Sequence, residues 1–207
     1  YRYRVTFKGP GGHSWGAFGL ANPHHALGEA ISNFVEAANK YTSEGPKTSY
    51  NVGVISGGTS INSIPFESIM EIDIRSVDPS RLEEMEDLLE TAVQNALAHQ
   101  NEMKREGPDL TAAIDKIGNR PSGELSDQLP LVQKTLAATA AFGVKPYLTR
   151  GSTNSNIPIA KGIPAVTIGR GGKGGKAHSL DKWWLNQEGH QAIQLALLIL
   201  LMESGMD

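Results

Sequence analysis

The chain opens on a strict alternation. Tyr1, Tyr3, Val5 and Phe7 fall on one face, and Arg2, Arg4, Thr6 and Lys8 on the other, which is the period-two pattern of a half-buried strand. A turn-rich stretch follows, Gly9-Pro-Gly-Gly-His-Ser-Trp-Gly16. Asn22-Pro23 then reads as a helix N-cap with proline at the first helical position. Ala26, Ala30, Phe34, Ala37, Ala38 and Tyr41 continue a helical face up to the Gly45-Pro46 break. Thr48–Ser56 predicts a second strand, with Tyr50, Val52 and Val54 on its apolar side. Residues 57–65 are loop, and Glu67–Ser76 alternates again through Ile69 or Met70, Ile72 and Ile74. Asp78-Pro79-Ser80 opens a second helix, with Leu82, Met85, Leu88, Leu89, Val93, Ala96 and Leu97 spaced three and four apart. Leu110–Ile117 completes the series as a fourth strand.

Residues 1–118 thus run β-α-β-β-α-β. That order predicts the ferredoxin-like arrangement, two helices on one face of a four-stranded antiparallel sheet. The character changes after Asn119-Arg120-Pro121-Ser122-Gly123. Beyond it the pattern predicts a helix over Leu129–Phe142, a short strand over Pro146–Thr149, a buried strand over Gly162–Ile168 and a strongly apolar helix over Gln187–Ser204. Alternating helix and strand point to an α/β layered domain over residues 119–207. So few elements cannot cover both faces of a parallel sheet, so this second domain is expected to be incomplete. The overall class is α/β (α+β).

Composition narrows the function classes. The 207 residues carry a net charge of −3 with a pI near 6.1, which argues against a nucleic-acid binder and its basic face. The apolar stretch Ala196–Met202 is far short of the ~18 residues a membrane span needs. Cysteine is absent, which excludes disulfide scaffolds and thiolate metal sites. The chain begins on a strand pattern without Met, as a segment cut from a longer protein would.

Few side chains suggest chemistry individually. His13 follows a strand and a run of glycines; held there, an imidazole can donate to a developing oxyanion, although the spacing fits an exposed loop histidine equally. His178, in Lys176-Ala-His-Ser-Leu-Asp-Lys182, follows the glycine loop Gly169-Arg-Gly-Gly-Lys-Gly-Gly175 and suits a metal ligand or general base. A single histidine makes no metal site, because zinc takes at least three protein ligands. The glycine loop fails as a phosphate-binding P-loop: Arg170 stands where the first glycine belongs and Ala177 where Ser or Thr belongs. It reads as a mobile loop with Arg170 and Lys173 available to an anion. Asn62 and Arg75 form a polar pair in the first domain, where Arg75 could clamp a carboxylate. Glu83, Glu84, Glu86 and Asp87 fall on the solvated side of the second helix. His24 and His25 are adjacent on a helical turn and diverge by about 100°, and His99 and His190 lie on helices with no partner visible in the sequence.

Read in order, these signals stop being independent. Gly9-Pro-Gly-Gly-His-Ser, Asn22-Pro23, Gly53-Val-Ile-Ser-Gly-Gly-Thr-Ser-Ile-Asn-Ser-Ile-Pro65, Asp73-Ile-Arg-Ser76, Arg120-Pro121, Gly151-Ser-Thr-Asn-Ser-Asn156, Gly162-Ile-Pro-Ala-Val-Thr-Ile-Gly169 and Ala177-His-Ser179 succeed one another along the chain. This series resembles the M20 family of metallopeptidases and amidohydrolases. The resemblance implies a ferredoxin-like lid, or dimerisation domain, over residues 1–118, followed by the C-terminal portion of a catalytic domain. By the same resemblance His13 matches a lid histidine that reaches the partner subunit's active site, and Asn62 and Arg75 match substrate-binding positions. Gly151, Ser152, Thr153 and Asn154 match a substrate loop, and His178 matches the last metal ligand.

The resemblance also implies a hydrolase of peptide or N-acyl amide bonds, acting on a small peptide or N-acyl amino acid. It would carry two zinc ions per active site, with cobalt or manganese as substitutes. It would form a homodimer through the lid; charge and apolar run lengths leave no nucleic-acid or membrane partner expected, and the expected location is the cytoplasm. The family's remaining ligands are missing: no His-x-Asp motif occurs, and Glu83-Glu84 lies on a lid helix. The chain is therefore expected to be the C-terminal half of such an enzyme, inactive alone and without metal. Two positions depart from the family pattern, Lys182 where an acid is common and Asn154 where Asp is frequent. The rival expectation is a stand-alone, non-catalytic dimerisation or interaction module, whose edge strands would pair with a partner.

Overall fold

The computed structural model describes residues 1–205. The chain divides into two compact units, Tyr1–Asn119 and Arg120–Asp207.

The first unit is built on a four-stranded sheet. β1 (Arg2–Lys8) lies inside it; β3 (Thr48–Gly57) and β6 (Thr111–Gly118) form its edges, and β5 (Glu67–Ser76) sits between β3 and β1. All three pairings are antiparallel, so the ferredoxin-like expectation holds. The alternation in β1 sorts as the sequence dictates. Tyr3, Val5 and Phe7 are buried, while Arg2, Arg4 and Lys8 face solvent. On the solvent side the register sets Arg2 opposite Asp73, Arg4 opposite Glu71 and Lys8 opposite Glu67. Each pair is an ion pair, at 3.0, 2.7 and 3.6 Å, a cross-strand ladder that keeps this face wet.

Helices α1 (Pro23–Thr42) and α2 (Ser80–Met103) cover the other face. α1 buries Ala26, Ala30, Phe34 and Ala38, and α2 buries Met85, Leu89, Val93 and Ala96, the i, i+3, i+4 stripe of a core-facing helix. Each large side chain taken out of water there contributes roughly 1.5–3 kcal/mol. Asn22 Oδ1 accepts the His24 N–H at 2.9 Å and caps α1 as the sequence predicts. The far end of α1 is held by a residue with no sequence signal. Arg81 Nη2 donates to the carbonyls of Tyr41 and Glu44, at 2.7 and 3.0 Å, and its guanidinium lies over the Tyr41 ring. His99 has a partner that the sequence does not show. Its Nδ1 lies 2.7 Å from Glu29 Oε1 across the α1–α2 seam, a contact between residues 70 apart that no local pattern can show.

One strand departs from its predicted face. The sequence pattern places Val54 on the apolar side of β3, yet it is exposed, as is Ile55. The β3–β5 register slips between Val52 and Val54. That bulge at Gly53 breaks the alternation beyond it. A second, two-stranded ladder joins what the sequence reads as two loops: β2 (Gly12–His13) pairs with β4 (Ser63–Ile64).

In the second unit the helices form and the predicted strands do not. α3 (Pro130–Ala141) and α5 (Gly189–Ser204) pack together, with Lys134 Nζ 3.0 Å from Glu203 Oε2, and α4 (Asn156–Ala160) is a short added turn. Pro146–Thr149 and Gly162–Ile168 carry no strand. A strand needs a ladder to satisfy its backbone, and among the described residues the second unit offers these segments none. Ladder pairing appears instead where a mobile loop was expected: β7 (Lys173–Gly175) and β8 (Trp183–Leu185) form a hairpin. Its glycines are platforms for indoles. A Cβ at Gly175 would stand 2.8 Å from Trp183 Nε1, and one at Gly172 2.8 Å from Trp184 Nε1. Arg170 lies over the Trp184 ring rather than free in a loop. α5 buries only Ile199, and Ile193 stays 73% exposed. No helix among the described residues is long and apolar enough to cross a membrane.

Candidate functional site

The β2–β4 ladder brings two of the sequence candidates together. His13 pairs with Ser63, and the next backbone bond runs from Ser14 N–H to Asn62 O at 2.9 Å. His13 and Asn62 therefore share one tip of the first unit, although 49 residues separate them in the sequence. The local backbone also orients the His13 ring. Nδ1 accepts the N–H groups of Trp15 and Gly16, at 3.2 and 3.3 Å. With Nδ1 occupied as an acceptor, the proton of the neutral ring belongs on Nε2. The exposed ring thus presents an N–H donor to solvent. Asn62 is prepared in the same sense: its Oδ1 accepts the Ser60 hydroxyl at 2.5 Å, which leaves the amide NH₂ as its outward group. Trp15, 88% exposed, and the fully exposed Ile61 flank the two donors in sequence.

Arg75 is not part of this tip. It lies at the opposite end of β5 from Glu67, opposite Ser49, and at ~3.3 Å per strand residue that is on the order of 25 Å away. Its Nε donates to Asp73 Oδ2 at 2.6 Å, and Asp73 also accepts from Arg2. Burial alone pushes the Asp73 carboxyl up, but the hydrogen bonds and charges of Arg75 and Arg2 outweigh it and hold it below its ordinary range. Asn62 and Arg75 are therefore not a pair within one chain.

The second unit holds its candidates in two places. Thr153 and Ser155 share a hydroxyl cluster with Thr167, with oxygen separations of 2.6 to 2.9 Å. Asn156 Oδ1 accepts the Thr153 N–H at 2.9 Å, and Arg120 Nη1 donates to Ser152 Oγ at 3.2 Å. Gly151 and Asn154 are exposed beside them. Arg120 and Thr167 belong to the motifs that carried the family resemblance, but local spacing gives neither a role. His178 sits on the loop joining β7 and β8, which Lys176 and Asp181 close with a 2.9 Å ion pair. Its φ is +63°, and that of Lys176 is +51°. Left-handed backbone at a non-glycine residue costs about 1–3 kcal/mol and clusters at functional sites. At the position that departs from the family pattern, the Lys182 N–H closes a turn onto Ser179 O at 3.2 Å. Among the described residues no three His, Cys, Asp or Glu side chains converge.

The model of the peptidase dimerisation domain, M20_dimer, matches residues 1–101. These residues belong to the M20 peptidase dimerisation-domain family. No curated protein matches the chain. Among solved structures, a tripeptidase from Staphylococcus aureus superposes over 100% of this chain and 52% of its own, with a TM-score of 0.67 and 17% identity. Aminopeptidase PepT from Bacillus cereus covers 97% of this chain and 50% of its own, with a TM-score of 0.62 and 16% identity. AtUAH, solved with (S)-hydroxyglycine, covers 100% of this chain and 47% of its own, with a TM-score of 0.66 and 18% identity. At those identities the likeness is one of fold, and the chain spans about half the length of each. The M20 dimerisation domain carries the His13–Asn62 tip, and the likeness in fold continues past it.

Proposed function

We propose that this chain contributes a lid and a substrate-facing segment to an M20-type hydrolase of peptide or N-acyl amide bonds, working as a homodimer. The observation that carries the reading is the tip of the dimerisation domain. Two hydrogen-bond donors, His13 Nε2–H and the Asn62 amide, are oriented outward by bonds to their other polar atoms. Such preset donors suit the oxygen of a carbonyl that gains negative charge as it is attacked, and they need no reorganisation in the transition state. His13 is the proposed oxyanion donor and Asn62 a substrate contact. Arg75, displaced from that tip by most of a strand, is proposed as a carboxylate clamp for a different part of the assembled dimer, with Asp73 holding its guanidinium in place. Gly151, Ser152, Thr153 and Asn154 form the proposed substrate loop, stiffened by Arg120 and the Thr167 hydroxyl. His178 is proposed as one ligand of a metal centre whose other ligands lie outside the described residues. Its strained backbone supports that role.

The test is turnover of peptide and N-acyl amino acid panels by the native gene product and its His13→Ala variant. Loss of one oxyanion donor is expected to lower kcat by about 10²–10³, with the dimer mass in solution unchanged. A wild-type protein that dimerises and cleaves none of the panel would establish the non-catalytic dimerisation module instead.

A further inference from the structure

The His24 imidazole stands where α1 meets the loop that carries Asn62. Its Nδ1 lies 2.6 Å from Ser68 Oγ. Ser68 is fully buried, one of few polar groups in the core, and faces Gly57 across the β3–β5 ladder. A buried hydroxyl needs its partner, so Ser68 holds the ring in one position. The Cε1–Nε2 edge of the ring reaches the loop. A Cβ at Gly57 would stand 3.1 Å from His24 Cε1, and one at Gly58 only 2.7 Å from His24 Nε2. Both glycines have positive φ, 128° and 76°, so backbone and ring contact alike require glycine where β3 turns into the loop. The other end of this loop is already tied to β2 by the His13–Ser63 pairing and the Ser14–Asn62 bond.

We infer that His24 is a positioning residue: with Ser68 behind it and Gly57–Gly58 under its edge, it anchors the 58–62 loop and so fixes the Asn62 segment where its backbone bonds β2. The consequence for substrate rests on the proposed role of Asn62; the anchoring itself does not. No sequence signal exposes this role, because the ring contacts residues 33 and 44 positions away.

The experiment uses the native gene product carrying His24→Asn. The asparagine amide reaches Ser68 near where Nδ1 stood but ends short of the glycines, so the unfolding midpoint is expected to stay unchanged. Amide hydrogen exchange at Gly58–Asn62 is expected to quicken about tenfold, with exchange in β1 and β5 unaltered. For a cleaved N-acyl amino acid, KM is expected to rise about tenfold with kcat within about twofold, the mark of lost substrate binding rather than lost chemistry. Ser68→Ala, which removes the hydroxyl that fixes the ring, is expected to quicken exchange at Gly58–Asn62 by a smaller factor than His24→Asn; wild-type exchange there overturns Ser68's part in the inference. Wild-type exchange at 58–62 in His24→Asn overturns the inference, whatever the kinetics. Faster exchange with unchanged KM overturns its substrate half. Faster exchange in a protein that cleaves nothing upholds the anchoring and removes the hydrolase reading alone. Should His24→Asn fail to fold, His24→Ala/Ser68→Ala removes ring and hydroxyl together, and the same exchange measurement decides.

Discussion

The two units use apolar residues in opposite ways. In the first, the alternation of β1 and β5 and the stripes of α1 and α2 close on one core, and Tyr3, Phe7, Phe34, Met70 and Leu89 lose essentially all contact with water. In the second, Val132, Ala138 and Ile199 are the buried apolar residues among those described, while Leu180, Trp183, Trp184, Ile193 and Leu200 remain exposed. The apolar content of α5 exceeds that of α1, yet its burial is far less. Hydrophobicity in a sequence marks surface that can be buried; the layer architecture decides whether it is. The proposed chemistry divides along the same line. The first unit offers hydrogen-bond donors on a rigid scaffold, and the second offers a strained histidine on a small hairpin.

The largest expected contrast is functional. In the native gene product His178→Ala should abolish turnover and lower the bound metal measured by elemental analysis. His13→Ala should leave the metal content intact while turnover falls. A loss of metal in His13→Ala would break the division between the units. Next comes stability. Phe34→Ala should cost about 3–5 kcal/mol in urea unfolding, because its ring is sealed between α1 and the sheet against Tyr50. Leu200→Ala, at a position 64% exposed, should stay within about 0.5 kcal/mol. Equal losses would mean that α5 is covered in solution.

Much of the first unit was legible because its signals are local. Alternation in β1, the Asn22-Pro23 cap and the three-four spacing of α2 each specify an element without reference to the rest of the chain. The antiparallel four-stranded sheet under two helices followed from the order of elements along the chain. What escaped was everything set by distant pairing: the Gly53 bulge, the β2–β4 ladder, Arg81 on the end of α1, and His99 against Glu29. In the second unit the apolar run Ile163–Ile168 has a strand's composition and no strand to pair with, so pattern misled. The Gly-rich and Trp-Trp segments formed a hairpin because indole faces need glycine beneath them, a complementarity across ten residues that periodicity does not register. Of the site, His13 and Asn62 were visible as types, but their proximity was not.

The hairpin supplies a smaller test. Gly175 lies in β7 with φ outside the left-handed region, so a branched side chain is compatible with its backbone. Gly175→Val should nevertheless displace the Trp183 indole, at a cost of about 1–3 kcal/mol from overpacking. Tryptophan emission should shift red, and hydrogen exchange in β1 and β5 should not change. Altered exchange in the first unit would show that the two units do not unfold independently.

The smallest effect separates the units electrostatically. Asp73 accepts from Arg75 at 2.6 Å and Arg2 at 3.0 Å, with its side chain 31% exposed. Although burial pushes its carboxyl up, these donors hold it below the ordinary value of 3.8. A carboxyl depressed on folding adds stability that is complete above its unfolded value and disappears as pH falls through its folded value. The two arginines are more than half exposed, so solvent screening limits the contribution to about 0.2–1 kcal/mol at neutral pH. Asp73→Asn should remove that amount at pH 7, make no difference once the pH is below the folded value, and lose its effect in high salt. The second unit provides the control: Glu124 and Arg150 stand 3.9 Å apart with both side chains over 80% exposed. Glu124→Gln should leave the unfolding midpoint unchanged at every pH. If instead Asp73→Asn is equally silent at pH 7 and low salt, the charged ladder on β1 and β5 contributes no more than loose surface pairs do, and the first unit owes its stability to the helix-covered face alone.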